Sequence, residues 1–144
     1  MPVPAWMPPV VLGIFGLVFG SFANVVIWRV PRGESVVSPP SHCPHCEHEV
    51  RSKDNIPVVS WLLLRGRCRD CGGPISPRYP IVEAVSGALW ALAGWRWGVS
   101  IESLVGAAFF YVMLLLAAVD LDTGRLPNVL VAVCAGIGLA AAVG

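Results

Sequence analysis

The chain has 144 residues, of which 56% are hydrophobic and 13% are charged. Soluble domains carry about a quarter charged residues, so this composition excludes an ordinary soluble domain and favours a membrane protein. The net charge of +1 hides an uneven distribution. Residues 1–28 contain no charged side chain, whereas eight of the ten lysines and arginines lie between Arg29 and Arg78.

The first apolar run, Met7 to Trp28, is long enough for a transmembrane helix, which needs about 20 residues. The basic residues follow it, so the positive-inside rule predicts an outside N-terminus and a cytoplasmic loop after Trp28. A cleaved signal peptide is the alternative, with Ser21 to Ala23 as a cleavage site, but no positive charge precedes the run as a signal peptide requires. Gly16 and Gly20 have the small-xxx-small spacing of closely packed helices.

Residues 29–80 are polar, rich in proline and glycine, and contain four of the five cysteines. The four cysteines form two C-x-x-C motifs separated by 21 residues: Cys43, Cys46, Cys68 and Cys71. This spacing lies just outside the usual range for a zinc site built from two such motifs. Four thiolates occupy all four coordination positions of a tetrahedral zinc ion and leave none open, so the pattern predicts a structural zinc site. The nearby histidines, His42, His45 and His48, are expected to be solvated neighbours.

Two other interpretations of these cysteines remain open. One is a pair of disulfides, but disulfides are uncommon in the reducing cytoplasm, where the positive-inside rule places the loop. A redox-active C-x-x-C pair is the second alternative, and the duplication of the motif argues against it. A loop of about fifty residues has little core of its own, so a bound metal would supply much of its folding free energy.

Between the two motifs lies a short apolar segment, Ile56 to Leu64, which is too short to span a membrane. It is predicted as a strand, a short helix or a segment at the membrane interface, with Trp61 at the headgroup level. Three arginines follow it and are expected to face anionic lipid: Arg65, Arg67 and Arg69. No aromatic residues alternate with them, so a nucleic-acid partner is not expected.

Three further apolar segments complete the chain, at Ile81 to Trp97, Leu104 to Val119 and Asn128 to Val143. The predicted fold is therefore an all-α polytopic membrane protein with about four transmembrane helices and a small cytoplasmic zinc-binding loop domain. Its predicted divisions are residues 1–28, the first transmembrane helix; 29–80, the loop domain; and 81–144, transmembrane helices two to four. Glu83 is either an exposed first-turn carboxylate favoured by the helix dipole or a site residue. Cys134 is interpreted as a buried small hydrophobic residue.

Asp120 is the strongest candidate for a catalytic residue. It ends a long apolar run, where a carboxylate is costly and by default indicates a functional site. The predicted topology returns it to the same side of the membrane as the zinc loop. Asp122, two residues further on, would point elsewhere on a helix and is expected to be solvated.

Several segments in order carry a resemblance to one family. They are Gly20 to Ile27 with Arg29 and Pro31, the two C-x-x-C motifs with Asn55 to Pro57 and Ser60, Ser76 to Glu83, and Asp120 followed by Leu126 to Asn128. With these motifs the chain resembles the N-terminal half of the type IV prepilin leader peptidases, which are aspartic peptidases of the bacterial inner membrane.

The resemblance implies an enzyme that cleaves the leader peptides of type IV pilins and pseudopilins, including those of type II secretion. It also implies N-methylation of the new N-terminus with S-adenosylmethionine. Asp120 would be one member of a catalytic aspartate pair at the cytoplasmic face of a multi-pass inner-membrane protein. Two carboxylates that share a proton titrate as a pair, so one acts as general base and the other polarises the scissile carbonyl.

The sequence departs from the family pattern at the second aspartate, which the family carries in a Gly-x-Gly-Asp motif. The nearest string, Gly136 to Gly138, is followed by Leu139. We therefore expect no proteolysis from this chain alone unless a second chain supplies the partner aspartate. No residue can be assigned to S-adenosylmethionine. The alternatives are a membrane-anchored zinc-ribbon binding or scaffold module without catalysis, and an ion-transport role for Asp120.

Overall fold

The structure is a computed structural model that describes residues 3–143, with side chains through residue 142. It contains five α-helices: α1 (Met7–Arg29), α2 (Val59–Leu63), α3 (Arg78–Trp97), α4 (Ile101–Thr123) and α5 (Asn128–Val143). Single turns of 3₁₀ helix lie at Val30–Arg32 and Ser52–Asp54. Across residues 3–143 there is no β-strand, only isolated bridges in the loop. The prediction of a mostly helical chain is confirmed.

Two helical segments are long and apolar enough to cross a membrane, Met7–Arg32 and Ile101–Thr123. This assignment rests on their length and composition, and it agrees with a membrane protein. Helix α3 does not reach the same hydropathy, because it contains Arg78, Glu83 and Arg96. Helix α5 has 16 residues, fewer than the roughly 20 that a bilayer requires. The number of four transmembrane helices therefore stays a prediction.

The start of α4 differs from the sequence-based expectation. The apolar segment predicted from the sequence begins at Leu104, but the helix already begins at Ile101. Ser100 has extended backbone angles, and its side chain accepts a hydrogen bond from the N–H of Ser103 at 3.2 Å. This is the N-cap arrangement that serine favours, and it places Glu102 in the first turn of the helix.

Helices α1 and α3 pack so closely that glycine is required between them. A Cβ atom on Gly16 would lie 2.7 Å from the Cβ of Trp90, and one on Gly20 would lie 2.7 Å from the Cα of Glu83. On the other helix, a Cβ atom on Gly87 would lie 2.8 Å from the side chain of Leu17. The predicted role of Gly16 and Gly20 in helix packing is confirmed.

We expect replacement of Gly20 by leucine to destabilise the α1–α3 pair by about 1–3 kcal/mol or more, because overpacking meets backbone that cannot move aside. Gly136→Leu in α5 is the matched control, since a Cβ atom there has no neighbour within 4 Å. Thermal unfolding of the detergent-solubilised chain, followed by circular dichroism, measures both. Equal melting temperatures for the two variants would contradict this packing.

The buried core at one end of the bundle joins α1, α3, α4 and α5. It contains Ile27 of α1, Val82 of α3, Val119 of α4 and Leu130 of α5. At the same end, the carboxylate of Asp122 forms an ion pair with Arg78, so this aspartate is not simply solvated as expected. The start of α3 and the end of α4 are thereby held together, and Asp120 lies at the end of the bundle from which the loop extends.

Candidate metal centre and the aspartate beside it

Each C-x-x-C motif forms a tight turn closed by backbone hydrogen bonds. In the first turn, the N–H of Cys43 donates to the carbonyl of His48 at 2.9 Å, and in the second the N–H of Cys68 donates to that of Gly73 at 2.8 Å. The residue after the second cysteine of each motif has a positive φ: Glu47 at 59° and Gly72 at 71°. Glycine adopts this conformation freely, whereas glutamate adopts it at a cost. The two turns are therefore near copies of one another.

The two turns bring the four sulfur atoms to a common centre. The Sγ atoms of Cys43 and Cys71 are 3.8 Å apart, those of Cys46 and Cys68 are 4.0 Å apart, and all four lie within 4.8 Å of one another. A zinc ion with four sulfur ligands at about 2.3 Å has tetrahedral edges of about 3.8 Å. The donor set and its spacing therefore fit a single tetrahedral metal ion.

The alternatives to a metal account less well for this arrangement. All four cysteines are free, and each sulfur has more than one sulfur neighbour, whereas a disulfide needs only a pair. His42, His45 and His48 are exposed and lie outside the group of four sulfur atoms. The expectation that the histidines are solvated neighbours agrees with this placement.

The thiols differ in their readiness to ionise. Hydrogen bonding from the backbone N–H of His45, assisted by the N–H of Cys46, outweighs desolvation and lowers the pKa of Cys43 to about 6. The backbone N–H of His48 lowers the pKa of Cys46, but desolvation and hydrogen bonds with the other thiols outweigh it and raise that pKa. Metals bind thiolates, and a bound cation would favour ionisation of all four thiols.

Two ion pairs hold the loop around the four sulfur atoms. Arg51 and Asp70 meet at 2.6 Å and join the first turn to the second. The guanidinium of Arg69 donates to both carboxylate oxygens of Asp54 at 2.6–3.0 Å, which lowers the pKa of Asp54. The expectation that Arg69 faces lipid is wrong, because a carboxylate within the loop engages its side chain.

Trp61 makes its contacts within the loop itself. The segment around Trp61 forms the short helix α2, and its indole N–H donates to the carbonyl of Ile75 at 3.1 Å. The ring covers Gly66, where a Cβ atom would lie 2.8 Å from it. Trp61 therefore packs within the loop, and its expected position at the headgroup level stays a prediction.

A buried carboxylate attaches the loop to the helices. Glu83, in the second turn of α3, is 8% exposed and accepts a hydrogen bond from the backbone N–H of Val58 at 2.6 Å. Val58 has a φ of 61°, which is a strained conformation for a β-branched residue. Next to this contact, Ser21 of α1 donates to Asn55 of the loop at 3.3 Å. Of the two interpretations of Glu83, the exposed first-turn carboxylate is therefore wrong.

Replacing Glu83 by alanine should loosen the loop from the helices. The Val58 N–H would lose its buried acceptor, a loss of about 1–3 kcal/mol, and its strained φ would lose support. We expect the Val58 amide to exchange with solvent at least about tenfold faster, as measured by hydrogen exchange. Glu83→Gln keeps an acceptor oxygen and should largely preserve protection. Unchanged exchange in Glu83→Ala would show that the contact does not hold the loop.

Asp120 lies in the last turn of α4 and is exposed. Its carboxylate forms no ion pair or hydrogen bond with another side chain in residues 3–142. The turn that follows is fixed by Thr123, whose hydroxyl donates to the carbonyl of Val119 at 2.9 Å and accepts from the N–H of Arg125 at 3.3 Å. The described residues place no second carboxylate against Asp120, so its catalytic role stays a prediction.

Comparison with known proteins agrees with these features. A family described as the bacterial Peptidase A24 N-terminal domain matches residues 14–97, which include most of α1, the loop with its four cysteines, and α3. The match covers more than half of the chain. The chain belongs to this family.

Curated relatives extend the comparison beyond the matched domain. The chain is 42% identical to a "Type 4 prepilin-like proteins leader peptide-processing enzyme" of Escherichia coli, over 88% of this chain and 53% of the relative. It is 44% identical to a "Prepilin leader peptidase/N-methyltransferase" of Klebsiella pneumoniae, over 81% of this chain and 54% of the relative. A protein of Myxococcus xanthus with the same name is also 44% identical, over 87% of this chain and 38% of the relative.

The chain thus spans between 38% and 54% of the length of these three relatives. No solved structure matches the chain. The family match agrees with the resemblance seen in the sequence motifs. It also explains why the metal centre and its attachment to α1 and α3 form one unit, since all of them lie within residues 14–97.

Proposed function

We propose that this chain is the N-terminal part of a bacterial inner-membrane prepilin peptidase, which removes leader peptides from prepilins and pseudopilins. One observation supports the proposal. The chain belongs to the peptidase A24 N-terminal family, and Asp120 lies at the end of the bundle from which the four-cysteine loop extends. The topology in this proposal has about four transmembrane helices, with the loop and Asp120 on the cytoplasmic side. The chain divides at residues 1–28, 29–80 and 81–144.

In this proposal Asp120 supplies one carboxylate of a catalytic pair. Two carboxylates close enough to share a proton differ in ionisation, so one activates water while the other polarises the scissile carbonyl. Asp122 is not available as the partner, because Arg78 engages its side chain. The second aspartate would come from a Gly-x-Gly-Asp segment, which this chain does not contain. We therefore expect the isolated chain to be inactive.

The metal in this proposal is a structural zinc ion held by four cysteines: Cys43, Cys46, Cys68 and Cys71. With four sulfur ligands it has no position for water or substrate, so it takes no part in the reaction. Its contribution is to hold the loop in the fold that Glu83 attaches to the bundle. The loop then provides a surface, at the same end of the bundle as Asp120, on which a leader peptide can bind.

The names of the Klebsiella pneumoniae and Myxococcus xanthus relatives also include N-methyltransferase, which implies S-adenosylmethionine. Neither of the two cavities described in this chain fits that cofactor. One is apolar and lies at the opposite end of α1, against Met7 and Leu104. The other presents Arg32 and Arg125, and its lining contains neither a carboxylate nor an aromatic ring to receive the sulfonium cation of that cofactor. We assign no residue and no reaction step to the cofactor.

The proposal is tested with a chimera in which this chain replaces the matching N-terminal part of the Klebsiella pneumoniae relative. The purified chimera is expected to cleave a prepilin in a detergent or nanodisc assay, because the relative's C-terminal part completes the site. Zinc content and melting temperature of the same sample confirm that it has folded.

The competing function is a zinc-ribbon module that binds a protein without catalysis. The chain's isolated Asp120 and preformed loop are compatible with that role. A folded, zinc-loaded chimera that binds prepilin but leaves it intact would favour the binding module and overturn the peptidase proposal. Cleavage would exclude a purely binding role.

A further inference from the structure

A second cavity lies where two candidate membrane spans end. It has a volume of about 430 Å³ and is formed by the exit of α1 and the turn between α4 and α5. Six residues line it: Val30, Pro31, Arg32, Thr123, Arg125 and Pro127. The apolar spans Met7–Arg32 and Ile101–Thr123 both end at this cavity. It therefore lies at the level where a bilayer's hydrocarbon gives way to its headgroups.

Local contacts hold the guanidinium of Arg32, and neither arginine of the cavity is paired with a carboxylate of residues 3–142. The guanidinium of Arg32 lies 3.6 Å from the centre of the Trp28 ring and donates to the Trp28 carbonyl at 2.6 Å. The turn that Thr123 closes fixes the backbone at Arg125, whose N–H donates to the Thr123 hydroxyl, and the Arg125 side chain lines the cavity. Neither arginine takes part in any ion pair formed within residues 3–142. The nearby carboxylate of Asp122 is engaged by Arg78.

We propose that Arg32 and Arg125 form a binding site for the headgroup phosphate of an anionic phospholipid. A guanidinium group matches phosphate geometry and donates two parallel hydrogen bonds to it. Basic pockets between transmembrane helices on the cytoplasmic side are typical binding sites for anionic headgroups. Trp28 and Leu126, which are 52% and 53% exposed beside the cavity, offer apolar surface to the acyl chains.

The position of the cavity, at the ends of two candidate membrane spans, favours a phospholipid over free phosphate as the ligand. A free anion would gain only the two guanidinium contacts at an open surface, where salt screens them. A phospholipid also places its glycerol and acyl chains against the exposed side chains next to the cavity. The site would anchor the ends of α1 and α4 at one depth in the bilayer, beside Asp120.

The test uses the full chain in nanodiscs, with native mass spectrometry to count retained phosphatidylglycerol against phosphatidylcholine. We expect preferential retention of phosphatidylglycerol in the wild-type chain. The double variant Arg32→Gln/Arg125→Gln should bind it about thirtyfold more weakly, the effect expected for two cations near an anionic surface. Arg65→Gln/Arg67→Gln removes two exposed loop arginines that are also expected to face anionic lipid, so it is the matched control for general charge attraction and should cause a clearly smaller loss. Arg32→Lys/Arg125→Lys keeps both charges but loses the paired hydrogen bonds, so it should bind more tightly than the glutamine variant and more weakly than the wild-type chain.

The proposal is overturned by equal retention of the two lipids, or by equal losses in the two glutamine double variants. A competition arm separates the two sources of phosphate. Millimolar inorganic phosphate should not displace the lipid, and displacement would mean that the cavity binds free phosphate instead. The zinc content of each variant shows whether it has folded. If Arg32→Gln/Arg125→Gln fails to fold, the comparison is made with Arg32→Lys/Arg125→Lys instead.

Discussion

Replacing Cys68 by serine is expected to abolish metal binding and unfold the loop, while the α1–α3 pair stays helical. Within residues 31–77 only three residues are buried: Cys43, Ser60 and Gly66. None is a large apolar side chain, so the loop has no hydrophobic core to hold it without the metal. Structural zinc sites supply about 10–16 kcal/mol of folding free energy at neutral pH, which far exceeds what the two surface ion pairs provide.

Hydrogen exchange and limited proteolysis of the purified chain measure this effect. In Cys68→Ser, amides from Ser41 to Ile75 should lose protection, whereas those of α1 and α3 should keep it. A strong chelator should do the same to the wild-type chain. Cys134→Ser is the matched control, because Cys134 lies in α5, in contact with Met113 and away from the cluster. A loop that stays protected in Cys68→Ser without metal would contradict a metal-dependent fold.

Asp120→Asn is expected to reduce prepilin cleavage by the chimera at least about a hundredfold. Asparagine keeps the shape of the side chain but cannot ionise or share a proton, and a positioned acid or base contributes about 10²–10⁴-fold. The measurement is the initial rate of leader removal at saturating prepilin, with substrate binding measured separately. Binding should change little, since the chemical step is the one affected.

Asp122→Asn is the matched control for this experiment. It makes the same chemical change two residues away and removes an ion pair with Arg78, which as a half-exposed pair contributes at most about 1 kcal/mol. Cleavage should therefore stay within about tenfold of the parent chimera. If Asp122→Asn lost cleavage and Asp120→Asn kept it, the catalytic assignment would be wrong.

Local patterns in the sequence predicted several features of the fold. The helical class, the glycine contact between α1 and α3, and the grouping of four cysteines each follow from spacing within a short stretch. The boundary of α5 at Asn128–Val143 agrees with the prediction, because Pro127 begins a helix readily. The start of α4 was missed, although Ser100 followed by Glu102 and Ser103 is a recognisable capping signal.

The features that the sequence did not predict depend on contacts between distant segments. These contacts join residues that lie 14–25 positions apart: Glu83 with Val58, Arg69 with Asp54, and Trp61 with Ile75. No periodicity encodes such pairs. A charged residue inside an apolar run, such as Glu83, was the one available sign, since buried carboxylates need a partner. The number of transmembrane helices also stays open, because α3 and α5 lie outside the limits of hydropathy and length.

The central claim is that four cysteines of two separate turns hold one zinc ion that orders the loop at the end of the bundle where Asp120 lies. The most direct measurement is the zinc content of the chain purified under reducing conditions, combined with X-ray absorption at the zinc edge. We expect one zinc ion per chain with four sulfur ligands at about 2.3 Å. A folded, reduced chain without bound metal, or a metal with fewer than four sulfur ligands, would contradict the claim.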